Sequence, residues 1–275
     1  MAEVQRFDVG AVRLSRVPYF DIALDPSVVG LTVDQVREVD APAWATPDGQ
    51  VLVGQAVWVI ESGGQVIVVD PCGAADEFLR SGPQALLHQD AVLGAMAAAG
   101  FPAERVDTVV LSHLDGIGMA ARVAPDGAWE PAFPNARLLI TASELCWIAQ
   151  APEPSGAAAF HALVDAGVVD ATADGRRITD EVAMELSGGH TPGHALVRVG
   201  SEGSGAVFLG HLALSPLHAV ADVSPTTHHD PEAARRQLHH VIDAAVEGRL
   251  LLVGPLWPAP GAGVVGADRR IVPAA

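Results

Sequence analysis

The sequence contains no lysine: all 16 basic residues are arginine, set against 33 acidic ones, for a formal charge of −17. That balance excludes the broad basic surfaces that nucleic acids and anionic membranes require, so neither is expected as a partner. Cysteine is nearly as scarce. The two present, Cys72 and Cys146, are too few for a disulfide framework and suit a reducing compartment. No apolar run approaches the roughly 20 residues that span a bilayer, and Met1 to Gly10 lacks the basic-then-apolar pattern of a secretory leader. A cytoplasmic location is therefore expected. Low-complexity blocks, internal repeats and convincing linkers are also missing, which excludes disordered and repeat architectures.

What is present reads as one α/β domain over residues 1–275, long enough to bury a full core, with 49% of its residues hydrophobic. Phe7 to Pro18 alternates like a first edge strand, and residues 21–49, broken by Pro26, Pro42 and Pro47, read as a lid-like excursion. Val51 to Glu61 and Gln65 to Asp70 form a hairpin about Gly63-Gly64. Its second strand, Val66-Ile67-Val68-Val69, is apolar throughout, the pattern of a strand buried on both faces. Gln89 to Ala99 is helical, Val106 to Leu111 and Ala136 to Ile140 are strands, and Thr141 with Glu144 three positions on forms a capping box. Strands follow at Glu181 to Leu186, Ala195 to Val199 and Ala206 to Leu209. Asp230-Pro231 then opens a helix running to about Glu247, before a last strand from Leu250 to Val253. This order implies two sheets with outer helices.

Polar residues gather where the strands end. Thr108 to Leu111 delivers Ser112-His113-Leu114-Asp115 into a loop, and Gly189-His190-Thr191-Pro192-Gly193-His194 forms a second polar turn. Phe208-Leu209-Gly210-His211 ends a third strand. Imidazole and carboxylate groups brought together from separate loops are the donor set of Zn, Fe, Mn or Ni sites. The plain alternative is a decayed site in which they serve as ordinary hydrogen-bonding groups.

These motifs, with Phe133-Pro134-Asn135-Ala136, Asp230 to Arg236 and Pro258-Ala259-Pro260-Gly261, resemble the metallo-β-lactamase superfamily near its lactonase and organophosphate-hydrolase branch. The resemblance covers most of the chain beyond about residue 50, and Gly-His-Thr-Pro-Gly-His is its most specific piece. It implies an αββα sandwich of two mixed sheets with outer helices and an active site along one sheet edge. The family signature is His-x-His-x-Asp-His, whereas this chain reads His113-Leu114-Asp115-Gly116-Ile117-Gly118. Two registers are open. Ungapped, Asp115 takes the place of the second His; with two residues deleted after Leu114, it is the family's own Asp. The metal-bridging Asp is replaced by His211, and the late His falls at about Leu256. Ungapped, the first metal keeps His113, Asp115 and His190, while the second is left with Ile117, Gly118 and Leu256. Gapped, the first metal keeps His113 and His190 and the second only Asp115. The resemblance thus implies at most one divalent ion, Zn or Fe, with His113, Asp115, His190 and His211 as candidate ligands and the second metal site absent.

Three functions are compatible with these residues. The first is a hydrolase of a small-molecule ester, lactone or thioester using at most one metal. The second is a metal-free acid–base enzyme of specialised metabolism, a cyclase, lyase or isomerase, in which Asp115, His190 and His211 transfer protons. The third is a non-catalytic ligand-binding protein on the same scaffold. In each case the partner is a small molecule. Cys72, His194, His218 and Trp257 are the candidates for lining its pocket, each with a plain counter-reading: buried thiol, bracing ring, loop histidine and core aromatic. His228 and His229, downstream of His211, could line the same pocket, with surface or loop histidines as the plain reading.

Overall fold

The computed structural model describes residues 3–39, 41–71, 84–114, 120–124, 126–150, 157–173, 175–225 and 227–275. The first part of the chain forms β1 (Gln5–Val9), β2 (Val12–Leu24), β3 (Val51–Ser62), β4 (Gln65–Val69) and β5 (Thr108–Val110). A small ribbon, β6 (Ala121–Val123) with β7 (Trp129–Pro131), precedes β8 (Arg137–Thr141) and β9 (Val169–Thr172). Apart from the ribbon, these strands make one sheet in the order β1-β2-β3-β4-β5-β8-β9, antiparallel as far as β4 and parallel beyond it. The second sheet runs in simple sequence order: β10 (Gly175–Arg177), β11 (Val182–Leu186), β12 (Ala195–Ser201), β13 (Ser204–Phe208), β14 (Leu251–Val253), β15 (Ala262–Val265) and β16 (Ile271–Pro273). Only its β13–β14 pair is parallel.

The two-residue alternation of each strand explains the layering. Trp58, Ile60, Ile67, Val69, Val110 and Leu139 of the first sheet pack against Met184, Val197, Phe208 and Val253 of the second. The intervening residues Val57, Val59, Val66, Val68, Val109 and Leu138 face the other way, onto helices α2 (Gln84–Ala98) and α4 (Ala157–Asp165). On the far side, Leu196, Val207 and Leu252 receive Leu238, Val241 and Ile242 of α6 (Pro231–Gly248). The result is the αββα sandwich with two mixed sheets. Asp230 caps α6 by accepting from Ala233 N at 2.9 Å, with Pro231 in the first turn, as the sequence predicts.

Two expectations need correction. The first strand is a hairpin: the chain turns at Gly10, and β2 runs on to Leu24. The supposed lid over residues 21–49 is part of the body. It contains α1 (Val33–Val39) and buries Val29, Leu31, Val36, Val39 and Trp44 in the outer core of the second sheet. At about 1.5–3 kcal/mol for each aliphatic side chain removed from water, that burial far exceeds thermal energy. Proline breaks regular structure here without preventing packing.

His218, on α5 (Leu217–Ala221), fastens this segment further. Its Nε2 donates to the Val29 carbonyl at 2.8 Å, and its Nδ1 accepts from Ser215 N at 3.1 Å. Burial holds the ring below its ordinary pKa of 6.5, so the unfolded chain takes up the proton first. The associated stability is complete above pH 6.5 and is lost as pH falls below it. Replacing His218 with Leu is expected to lower the melting temperature at pH 7.5. It should also make the decline between pH 6.5 and 5 shallower; an unchanged slope in that variant would refute the assignment.

Candidate active site

The site begins where β4 and β5 end. Asp70, at φ +39° and buried, donates its backbone N–H to Val110 O at 2.9 Å. Its carboxylate accepts from Ser112 N at 2.7 Å and from Ser112 Oγ at 2.6 Å. Ser112 Oγ lies 2.8 Å from His113 Nδ1. A hydroxyl has one proton, and here it goes to Asp70, so Oγ accepts from Nδ1–H. That bond sets the His113 tautomer and leaves the lone pair on Nε2. The Ser112 carbonyl accepts from Ala195 N at 2.8 Å, joining this strand end to the second sheet.

The Gly-His turn spans the gap between β11 and β12. Gly188 N donates to His194 O at 2.9 Å, while His190 O and Gly189 O accept from His229 N and Asp230 N at 2.8 and 2.9 Å. These bonds dock the turn against the start of α6. His194 is fully buried, with Nδ1 2.6 Å from Ser187 Oγ; Nε2 has no hydrogen-bond partner among the described residues. Burial, reinforced by the neighbouring imidazoles, pushes His194 well below its ordinary pKa. It is neutral.

His211 comes from a single helical turn, Gly210–Leu212, directly after β13. The His211 carbonyl accepts from His228 Nε2 at 3.1 Å, and His228 Nδ1 meets Ser224 Oγ at 2.8 Å. Burial takes His228 down to about 4, against the opposing effect of its bond to that carbonyl. Gly210 sits at φ +51°, and a Cβ there would collide with His194 Nε2 and Ser112 Oγ. Only glycine lets this turn close on the two loops.

These three loops, with the segment before α6 that carries His228, bring five imidazoles together. Ring centroids of His113 and His211 are 4.2 Å apart, those of His113 and His190 4.7 Å, and those of His190 and His211 5.1 Å. His194 lies 5.6 Å from both His113 and His190, and His228 lies 5.1 Å from His190. The ligand atoms of His113, His190 and His211 all fall within 4.8 Å of one another, close enough for one ion to join them. His113 and His190 are buried and His211 is half-buried.

The sequence matches no protein-family model and no curated protein. Solved structures do match. A hydrolase of the β-lactamase superfamily, AbOPH, superposes with a TM-score of 0.78 over 100% of this chain and 98% of its own, at 20% identity. AidC, a dizinc quorum-quenching lactonase, gives 0.78 over 99% and 97% at 18% identity. A probable metal-dependent hydrolase from Staphylococcus aureus gives 0.70 over 96% of both chains at 14% identity. The chain has the metallo-β-lactamase fold.

On that fold the expected residues separate clearly. Of the four proposed ligands the structure unites His113, His190 and His211; Asp115 lies outside the described residues, as does Cys72. The structure also gives the surroundings of the other three proposed pocket residues. His194 is fully buried beside His113 and His190, and His218 uses both nitrogens on backbone atoms. Trp257 is core: it is fully buried, tilted against Trp44 at 5.9 Å, and donates Nε1 to Ala213 O at 3.0 Å. Leu256, at the position of the family's late His, packs on the same core with a hydrocarbon side chain.

Sequence reasoning missed two residues. His228 is buried in the cluster, where the sequence favours a surface or loop position over a pocket one, and the doubled His228-His229 gives no sign of which ring turns inward. Glu144 was read as the second half of a capping box. Thr141 does cap α3 (Ala142–Ile148), accepting from Glu144 N at 3.1 Å. The Glu144 carboxylate, however, bonds Leu114 N, Thr191 Oγ1 and Gly193 N.

Replacing Gly210 with Ala is expected to cost about 1–3 kcal/mol of stability, the usual range for overpacking. The same change would displace His211. Urea unfolding and metal titration would both register it; wild-type values in both would contradict the close approach described.

Proposed function

We propose that the protein is a hydrolase of a small-molecule ester, lactone or thioester that works with one divalent metal ion. The observation carrying this reading is the convergence of the His113, His190 and His211 ligand atoms within 4.8 Å. The donor chemistry fits: neutral imidazoles suit Zn or Fe, and three protein ligands is the number typical of catalytic rather than structural zinc sites. The similar folds support the reaction class, since AbOPH is a hydrolase and AidC is a dizinc lactonase described with a product, N-hexanoyl-L-homoserine. A divalent ion at these residues would supply Lewis acidity, polarising a carbonyl and making water a better nucleophile.

The remaining work belongs to the chain. Asp70, through Ser112, keeps the proton on His113 Nδ1 and leaves the Nε2 lone pair for a metal ion. His194 and His228, held neutral, add no positive charge that would repel a cation. His211, half-buried, is more accessible than His113 and His190. Asp115, two residues after His113 in the sequence, is the carboxylate we assign to proton transfer.

Protein purified without added metal or chelator is expected to contain about one equivalent of metal per chain. Chelation should abolish hydrolysis of a panel of lactones, esters and thioesters, and His190→Ala should abolish both metal uptake and turnover. Full activity in metal-free protein would instead establish acid–base catalysis without a metal. Neither metal nor turnover would leave a ligand-binding protein.

A further inference from the structure

We propose that Glu144 is a positioning residue that holds the two buried histidines of the site in register. The proposal rests on the reading that the imidazole trio binds a metal. Glu144 is on the first turn of α3 and is completely buried. One carboxylate oxygen accepts from Leu114 N at 2.9 Å. The other accepts from Thr191 Oγ1 at 2.6 Å and from Gly193 N at 3.1 Å. Leu114 directly follows His113 and Thr191 directly follows His190. One carboxylate therefore grips the residue after each of two ligands, across loops contributed by different sheets.

Burying a carboxylate costs several kcal/mol unless hydrogen bonds compensate, and three donors, two of them backbone amides, supply that compensation here. The helix itself is pressed onto the turn. A Cβ on Gly193 would collide with the Glu144 backbone, and Thr141 Oγ1 donates to Gly193 O at 2.6 Å. Helix capping needs none of these loop bonds. Their common effect is to fix the separation of His113 and His190, whose ring centroids lie 4.7 Å apart.

Glutamine cannot replace this group. Its amide NH2 would face either the Leu114 N–H or the Gly193 N–H, donor against donor. Thr191→Val removes one bond and leaves the carboxylate two donors, giving a milder variant.

The test measures Zn(II) affinity by competition with a colour-forming chelator, together with the visible spectrum of Co(II)-loaded protein. Wild type, Glu144→Gln and Thr191→Val are compared at a temperature where circular dichroism shows each folded. Glu144→Gln is expected to bind about 10–100-fold more weakly, the range for groups that orient metal ligands, and to shift the Co(II) bands. Thr191→Val should fall between it and wild type. A folded Glu144→Gln protein with wild-type affinity and spectrum overturns the proposal. If Glu144→Gln does not fold, unchanged affinity in Thr191→Val overturns it alone. Wild-type protein that takes up no metal overturns the functional reading itself, and this inference with it.

Discussion

Three imidazoles on three separate loops meet with their ligand atoms inside 4.8 Å, two of them buried. Such a meeting is unfavourable unless the polar groups around it are satisfied, because an apolar interior offers no water to a displaced ring or a bare amide. Two buried carboxylates meet that requirement. Asp70 joins the ends of β4 and β5 and, through Ser112, orients His113. Glu144 reaches from α3 to the loops behind His113 and His190. Together with the Ala195–Ser112 bond between the sheets, these contacts make the open edge of the sandwich a single polar assembly.

The fold explains why this assembly lies where it does. Parallel pairing of β4, β5 and β8 sends their C-terminal ends to one edge of the first sheet, and the β11–β12 and β13 ends of the second sheet meet them there. Apolar residues alternate so regularly along these strands that both faces of each central strand are consumed by packing. Chemistry is left to the loops. Gly210 lets the His211 turn approach within contact of the other two, which couples His211 to the same network.

Much of this was legible in the sequence, for physical reasons. The all-apolar Val66 to Val69 and the Gly-His turn are local patterns whose meaning does not depend on distant residues, and both read correctly. Segment 21–49 misled because proline marks irregular backbone but says nothing about whether Trp44 and Val36 find a core. His218 and Trp257 were drawn toward the pocket by residue type, yet their nitrogens serve backbone carbonyls. Glu144 was the most deceptive. Its spacing from Thr141 fits a capping box, and nothing local distinguishes a carboxylate that closes a helix from one that reaches into another loop.

The all-imidazole donor set is the central claim, and it differs from a carboxylate-bridged site in a way that X-ray absorption reads directly. The decisive measurement is the extended fine structure of the zinc-loaded protein at its metal edge. The account predicts about three imidazole nitrogens at roughly 2.0–2.1 Å from the metal, falling to two when His211 is replaced by Ala. A shell dominated by oxygen or sulfur, or one unchanged in the His211→Ala protein, would contradict it.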